Sequence, residues 1–338
     1  MTEHHSVGIL GAGTWGTALA RLLANAGQSV TVWSHSAEHA RALDQSRTHP
    51  DLADVVLPES IRFTSELCMA CTGMDTVVFA VASPHIRPVA HQAAAYIPRG
   101  QLVVTVAKGI EPESLLTMSE ILEQELADCA PCVAALSGPS HAEEVARDLP
   151  TAIVAASGEA AAAEYVQRLF STPVMRVYTN GDIRGVELCG ALKNIIALAA
   201  GVSRGLGYGD NAKAALITRG LSELARLGGR LGCTPETFNG LAGVGDLIVT
   251  CTSEHSRNNR CGYLIGQGLS AAEAVERVGM AVEGLNALDA AMELARRYDV
   301  EIPIISAVND IVHGTVSPVD AVSDLFARDL TCEFDSYL

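Results

Sequence analysis

The chain has 338 residues, 49% of them hydrophobic, 18% charged and 4% aromatic, a length that suits two domains with cores needing neither disulfide nor metal. That apolar fraction excludes intrinsic disorder. The formal net charge of −16, from 23 Lys+Arg against 39 Asp+Glu, argues against a nucleic-acid or acidic-membrane partner. An anionic ligand would have to be held by a few local cations. Of the 23 basic residues 20 are Arg and only 3 are Lys: Lys108, Lys193 and Lys213. Lys can lose its proton when buried and Arg effectively cannot, so these three are candidates for chemistry unless they merely survived a compositional bias.

Runs rich in β-formers at Val7–Leu10, Val30–Trp33, Thr76–Val81, Leu102–Val106, Val133–Leu136, Ala152–Ala155 and Met175–Tyr178 alternate with helical patterns such as Thr17–Asn25 and Pro112–Leu126. Continuous apolar strands alternating with helices predict a mostly parallel sheet covered on both faces. After about Asp182 the strand signals stop, and helices are expected over 183–203, 211–231, 257–266, 270–277, 283–298 and 303–313. The fold class is therefore an α/β Rossmann-type dinucleotide-binding domain, residues 1–182, followed by an all-helical substrate domain, residues 183–338. The tail from about Arg328 is expected to be loosely held. MTEHHSVGIL has no basic start or apolar signal core, and no stretch approaches roughly 20 uninterrupted apolar residues. A soluble cytoplasmic protein without stable membrane association is expected, with a homodimer open. Nine cysteines, an odd number, do not suggest a disulfide framework. Cys68-x-x-Cys71 and Cys129-x-x-Cys132 read as core thiols rather than a zinc site, because 57 residues separate the pairs. No metal is expected.

Strand Val7–Leu10 runs into Gly11-Ala12-Gly13-Thr14-Trp15-Gly16 and then a helix. In this setting the first Gly makes the tight turn, the second admits a pyrophosphate and the third lets helix and strand pack, while the helix N-terminus offers free N–H groups. An NAD-type site expects an acid about 20 residues on, at the end of the second strand. Here Trp33-Ser34-His35-Ser36 stands there and Glu38 falls three residues too late. Without the acid a 2′-phosphate meets no repulsion, and His35 with Arg41 favours it. NADP(H) is the preferred cofactor and NAD(H) an acceptable one.

GVELCGALKNIIALAAGV, from Gly185 to Val202, is apolar nearly all round, the mark of a buried helix, and Lys193 lies in its middle beside Asn194. A buried Lys answers its desolvation by a lowered pKa, which poises it for proton transfer; a structural ion pair is the alternative. Lys108 ends a strand at the carboxyl edge of the sheet, where open α/β sheets bind ligands. Ser137-Gly138-Pro139-Ser140 ends another. There Gly138 N–H and Ser140 face a ligand, or Ser140 forms a capping box with Glu143, or both. In the helical half Ser256 caps a helix beginning at Arg257, an arrangement that is either a phosphate cradle or an ordinary cap. Asp246 orients a lysine or ends a turn.

Together these segments closely resemble bacterial NAD(P)-dependent glycerol-3-phosphate dehydrogenases. The match runs from residue 7 to about 300 through Gly11–Gly16, Lys108–Glu111, Ser137–Ser140, Glu187–Asn194, Gly209–Ala215, Gly243–Cys251, Ser256–Asn258 and Val282–Gly284, and it takes in all three lysines. The resemblance implies reversible reduction of dihydroxyacetone phosphate to sn-glycerol 3-phosphate, the backbone precursor of glycerophospholipids. It implies Lys193 as proton donor and acceptor, with Lys108 and Asp246 assisting. It implies substrate contacts from Lys108, Gly138, Ser140, Lys193, Asp246, Ser256, Arg257 and Asn258. The dinucleotide would be lined by Gly11, Gly13, Thr14, Trp15, Gly16, His35, Lys108, Ala142, Arg257, Val282 and Glu283. Two stretches depart from the family pattern: 47–58, where an Asn-x-x-Tyr-Leu-Pro-Gly-like run is usual, and Val81-Ala82-Ser83-Pro84-His85. Both bear on cofactor contacts. A related keto-acid or 3-hydroxy-acid dehydrogenase is the nearest rival, disfavoured because its substrate needs a carboxylate clamp. A dinucleotide sensor without chemistry is the other.

Overall fold

Eight strands form one sheet in a computed structural model that describes residues 4–330, apart from 53 and 254, together with 332 and 333. They are β1 (Ser6–Leu10), β2 (Ser29–Trp33), β3 (Arg62–Thr64), β4 (Thr76–Phe79), β5 (Leu102–Thr105), β6 (Cys132–Ser137), β7 (Thr151–Ala156) and β8 (Met175–Asn180). Their order is β3-β2-β1-β4-β5-β6-β7-β8. Every pairing is parallel except β6 with β7. The chain thus leaves β1 to one side for β2 and β3, then returns to β1's other side with β4. This reversal opens the crevice at the carboxyl ends where such sheets take ligands.

One face of the sheet packs Leu19, Leu22 and Leu23 of helix Thr14–Asn25 and Val166, Leu169 and Phe170 of helix Ala160–Phe170. The other packs Ile86 and Ala90 of helix Ile86–Ala93 and Met118, Ile121 and Leu122 of helix Met118–Glu125. Such two-sided cover is why β4 and β5 are apolar almost throughout.

After β8 everything is helical. Helix Ile183–Gly205 starts three residues beyond β8's last position, with Asp182 capping Gly185 N–H, and is buried along nearly its whole length. Among the described residues it is the one helix long and apolar enough to cross a membrane, and its apolar stretch lies inside the protein. Helices Asp210–Arg230, Asp246–Thr252, Arg257–Gly266 and Pro303–Val312 surround it. Helix Arg257–Gly266 comes closest: a Cβ on Gly262 would lie 2.0 Å from the Leu198 carbonyl oxygen, and one on Gly201 would lie 2.1 Å from that of Asn259. Only glycine permits that backbone approach.

Some expectations fail locally. Pro112–Leu126 is not one helix: Glu111 N–H bonds Leu116 O, Leu115 sits at φ 60°, and the helix begins at Met118 behind a Thr117–Glu120 capping box. The Pro and the strong cap move the start. Ser140 forms no capping box with Glu143; His141 precedes the one-turn helix Ala142–Val145, and Ser140 Oγ donates to Gly138 O. The 283–298 span breaks around Ala287 into Glu283–Asn286 and Leu288–Tyr298. Strand β3 and helix Pro318–Phe326 have no counterpart among the expected elements. In the tail Arg328 donates to Glu301 and Arg219 to Glu333 O, while residues 331 and 334–338 lie outside the described residues.

Candidate functional site

The glycine turn leaves β1 at Gly11, whose φ is 128° and where a Cβ would meet Ala80 O at 2.6 Å. At Gly16 a Cβ would strike Gly11 O at 2.1 Å, whereas at Gly13 nothing lies within 4 Å. Two glycines are thus needed for packing and the third fronts open space. Gly13 is also the N-cap of helix Thr14–Asn25 and supplies no side-chain cap, so the first-turn amides remain available. A dinucleotide pyrophosphate fits this turn. His35 is exposed one residue beyond Ser34 at the carboxyl end of β2, and no acid stands in its place. The atypical 47–58 segment folds back onto the turn: Thr14 Oγ1 donates to Asp51 at 3.3 Å, and buried His49 accepts from Asp51 N–H. Ala53 of this stretch lies outside the described residues. The second departure also has a role, since Ser83 donates at 2.8 Å to Glu283 across the gap between the two halves.

The charged centre is built from three elements. Lys108 follows β5 and reaches over Gly190 of the buried helix; there a Cβ would sit 3.3 Å from Lys108 Cγ. Its Nζ donates to Asp246 Oδ2 at 2.7 Å and to Gly138 O at 3.1 Å. Lys193, in the middle of the buried helix, donates to Asp246 Oδ1 and to Thr250 Oγ1 at 2.6 Å. Asp246 opens helix Asp246–Thr252 and is 1% exposed; Thr250, one turn on, donates to its carbonyl. Burial pulls the Lys193 ammonium well below the usual lysine range, Asp246 opposing and Lys108 reinforcing the shift. Burial alone would raise the Asp246 carboxyl, but the two ammonium groups outweigh it and hold it low. One carboxylate shared between two lysines keeps a net positive charge, which suits an oxygen gaining negative charge.

Lys213 does not join them; it pairs with Asp210 at 2.7 Å on the surface. Ser256 caps helix Arg257–Gly266 by accepting Asn259 N–H, and Arg257 stands exposed at that helix's first position. Asn258 is held at both ends of its amide, donating to Asn194 and accepting Gly284 N–H at 2.8 Å. It therefore fixes the buried helix to the Val282-Glu283-Gly284 turn. Ala142 begins the turn of helix after Gly138 and Ser140. Thr250 had no assigned role in the sequence; its signal was the four-residue spacing from Asp246 on one helix face. His141, beside Ser140, was also passed over. Burial and then Lys193 pull its imidazole below the usual histidine range, Glu143 and Glu144 opposing and Lys108 adding to the shift. All nine cysteines are free thiols, and among the described residues no three His, Cys, Asp or Glu gather as a metal site.

The family described as NAD-dependent glycerol-3-phosphate dehydrogenase, N-terminus, matches residues 6–163, and its C-terminal counterpart matches 182–323. The chain belongs to the NAD-dependent glycerol-3-phosphate dehydrogenase family. Relatives in that family include the NAD(P)+ glycerol-3-phosphate dehydrogenase 2 of Lactobacillus delbrueckii subsp. bulgaricus, 53% identical over 97% of this chain and 98% of the relative. The NAD(P)+ enzyme of Bacillus subtilis is 50% identical over 97% of this chain and 96% of its own. The crystal structure of glycerol-3-phosphate dehydrogenase from Coxiella burnetii superposes with a TM-score of 0.91 at 38% identity, covering 96% of this chain and 99% of that one.

Proposed function

We propose that this chain reversibly reduces dihydroxyacetone phosphate to sn-glycerol 3-phosphate with NAD(P)H. The observation that carries the reading is the convergence of Lys108 and Lys193 on buried Asp246. When bound on the Gly11–Gly16 turn, reduced nicotinamide supplies the hydride to the carbonyl carbon. Lys193, as its ammonium, hands a proton to the C2 oxygen as that oxygen gains charge; neutral Lys193 takes it back in the reverse direction. Asp246 holds Lys193 in place and favours its charged form, and Thr250 fixes the amine's direction. Lys108 adds a second positive charge on the same side. The N-terminus of helix Arg257–Gly266, with Arg257, receives the phosphate, and Gly138, Ser140, Ser256 and Asn258 shape the rest of that pocket.

Residues 1–182 form the cofactor half and 183–338 the half that brings Lys193 and Asp246. Missing acidity at His35 supports a preference for NADP(H) over NAD(H). Thr14, Trp15, His35, Ala142, Val282 and Glu283 line the cofactor. The product would feed glycerophospholipid synthesis in the cytoplasm, and a homodimer through the helical half is the assembly to test by light scattering. Initial rates of NADPH and NADH oxidation with dihydroxyacetone phosphate as sole acceptor test the reaction. Turnover with either establishes it and their ratio reads the preference. Turnover only with keto acids would move the chain to the neighbouring reaction, and none with any acceptor would leave a binding protein.

A further inference from the structure

One polar atom beside the charged centre is left without a partner. His141 is the N-cap residue of helix Ala142–Val145, yet its side chain caps nothing. Its Nε2 is buried and meets no hydrogen-bonding group. Buried polar atoms are almost always satisfied, so a buried orphan beside the two lysines calls for a partner that the free protein does not supply. The ring lies within reach of the charges of Lys193 and Lys108, on the same loop as Gly138, whose carbonyl Lys108 holds. It lies beside the ring of His255, with centroids 5.9 Å apart and planes tilted by 56°. His255 comes from the helical half and immediately precedes Ser256 and Arg257. His141 therefore bridges the lysine at the reacting carbon and the helix terminus at the phosphate.

We propose that His141 is a further substrate-binding residue whose Nε2–H donates to a phosphoryl oxygen of the bound triose phosphate. This role rests on the dihydroxyacetone phosphate reading above. The two lysines already supply the donors around Asp246, and a dianion drawn in by them offers the acceptors that a neutral imidazole lacks in the free protein. The groups around it agree with a neutral ring: Lys193 and Lys108 oppose its protonation, Glu143 and Glu144 favour it, and His255 stands across the gap.

The test compares wild type, His141→Ala and His141→Gln on dihydroxyacetone phosphate and on dihydroxyacetone, which lacks the phosphate. In His141→Ala, KM for the phosphorylated ketone should rise roughly tenfold, the loss expected for a hydrogen bond to a charged acceptor, with kcat within about threefold. Inorganic phosphate should weaken in parallel as a competitive inhibitor. The kcat/KM for dihydroxyacetone and the KM for NADPH should stay unchanged, and His141→Gln, which keeps a donor, should recover most of the loss. An unchanged KM, or equal losses on both ketones, would overturn the role of His141. Failure of the wild type itself to reduce dihydroxyacetone phosphate would overturn the underlying reaction instead.

Discussion

Lys193 shares Asp246 with Lys108, and that sharing sets what substitutions here should do. Lys193→Met keeps a long apolar stem in the buried helix but removes the proton. It should lower kcat roughly 10²- to 10⁴-fold while leaving NADPH binding nearly intact, as fluorescence titration of NADPH would show. The pH dependence has a definite sign. With Lys193 as the proposed proton donor, reduction would need the ammonium, so its rate should fall as pH rises through the lowered lysine pKa; oxidation would need the free amine and should rise over the same range. Asp246→Asn removes the attraction that keeps Lys193 charged and should move the descending limb of the reductive profile to lower pH. At the other end of the cleft, His35→Asp places a carboxylate where the 2′-phosphate of NADPH would lie. It should shift the NADPH-to-NADH ratio of kcat/KM roughly tenfold or more toward NADH, through repulsion and a new ribose bond. An unchanged ratio would remove His35 from cofactor selection.

The buried helix shows which elements a sequence announces and which it hides. Its all-round apolar pattern and the lone Lys193 were plain, as was the β1–glycine-turn–helix unit, because both depend on local spacing. Its acid was less so: Glu187 accepts from Ser119 N–H at 2.8 Å and from Ser119 Oγ, tying the helix to the first turn of helix Met118–Glu125. A long-range bond of this kind leaves no local trace. His141 was missed for the same reason, its neighbours Lys193 and His255 being set by packing between elements, whereas Thr250 left a trace in its four-residue spacing from Asp246. Glu187 also carries a prediction. Burial outweighs the Ser119 and Thr117 bonds and raises its carboxyl to about 7, from 4.5. The folded state then binds more protons than the unfolded one between those values, so this carboxyl costs stability as pH rises from about 4.5 to 7. Glu187→Gln has no proton to lose. In thermal melts its Tm, taken relative to wild type, should climb across that window and level off above it; a flat difference would contradict the assignment.

At the scale of the molecule, the site exists only where the two halves meet. Lys108, Gly138 and Ser83 come from the sheet half, and Asp246, Lys193 and Glu283 from the helical half. Polar links between the halves include Lys108 to Asp246, Ser83 to Glu283 at 2.8 Å, Ser119 to Glu187 and Arg184 to Glu120. The first belongs to the charged centre, so it cannot be altered without changing the chemistry. The second offers a cleaner probe of how far the fit between halves matters. Ser83 is buried and starts the short turn Ser83–His85 after β4, next to Gly109, where a Cβ would come within 2.3 Å of the Ser83 Cβ. Ser83→Ala keeps that packing and deletes only the hydroxyl, leaving Glu283 without its donor. If the link holds the halves in the arrangement that receives the dinucleotide, the variant pays for that order on binding. KM for NADPH should then rise roughly fivefold, the value of one hydrogen bond to a carboxylate reduced by exposure. Saturating NADPH should restore kcat, because Lys193, Asp246 and Thr250 are untouched. A drop in kcat at saturating cofactor would instead mean that the link acts on the reacting geometry, and no change in either constant would show that the halves keep their relation without it.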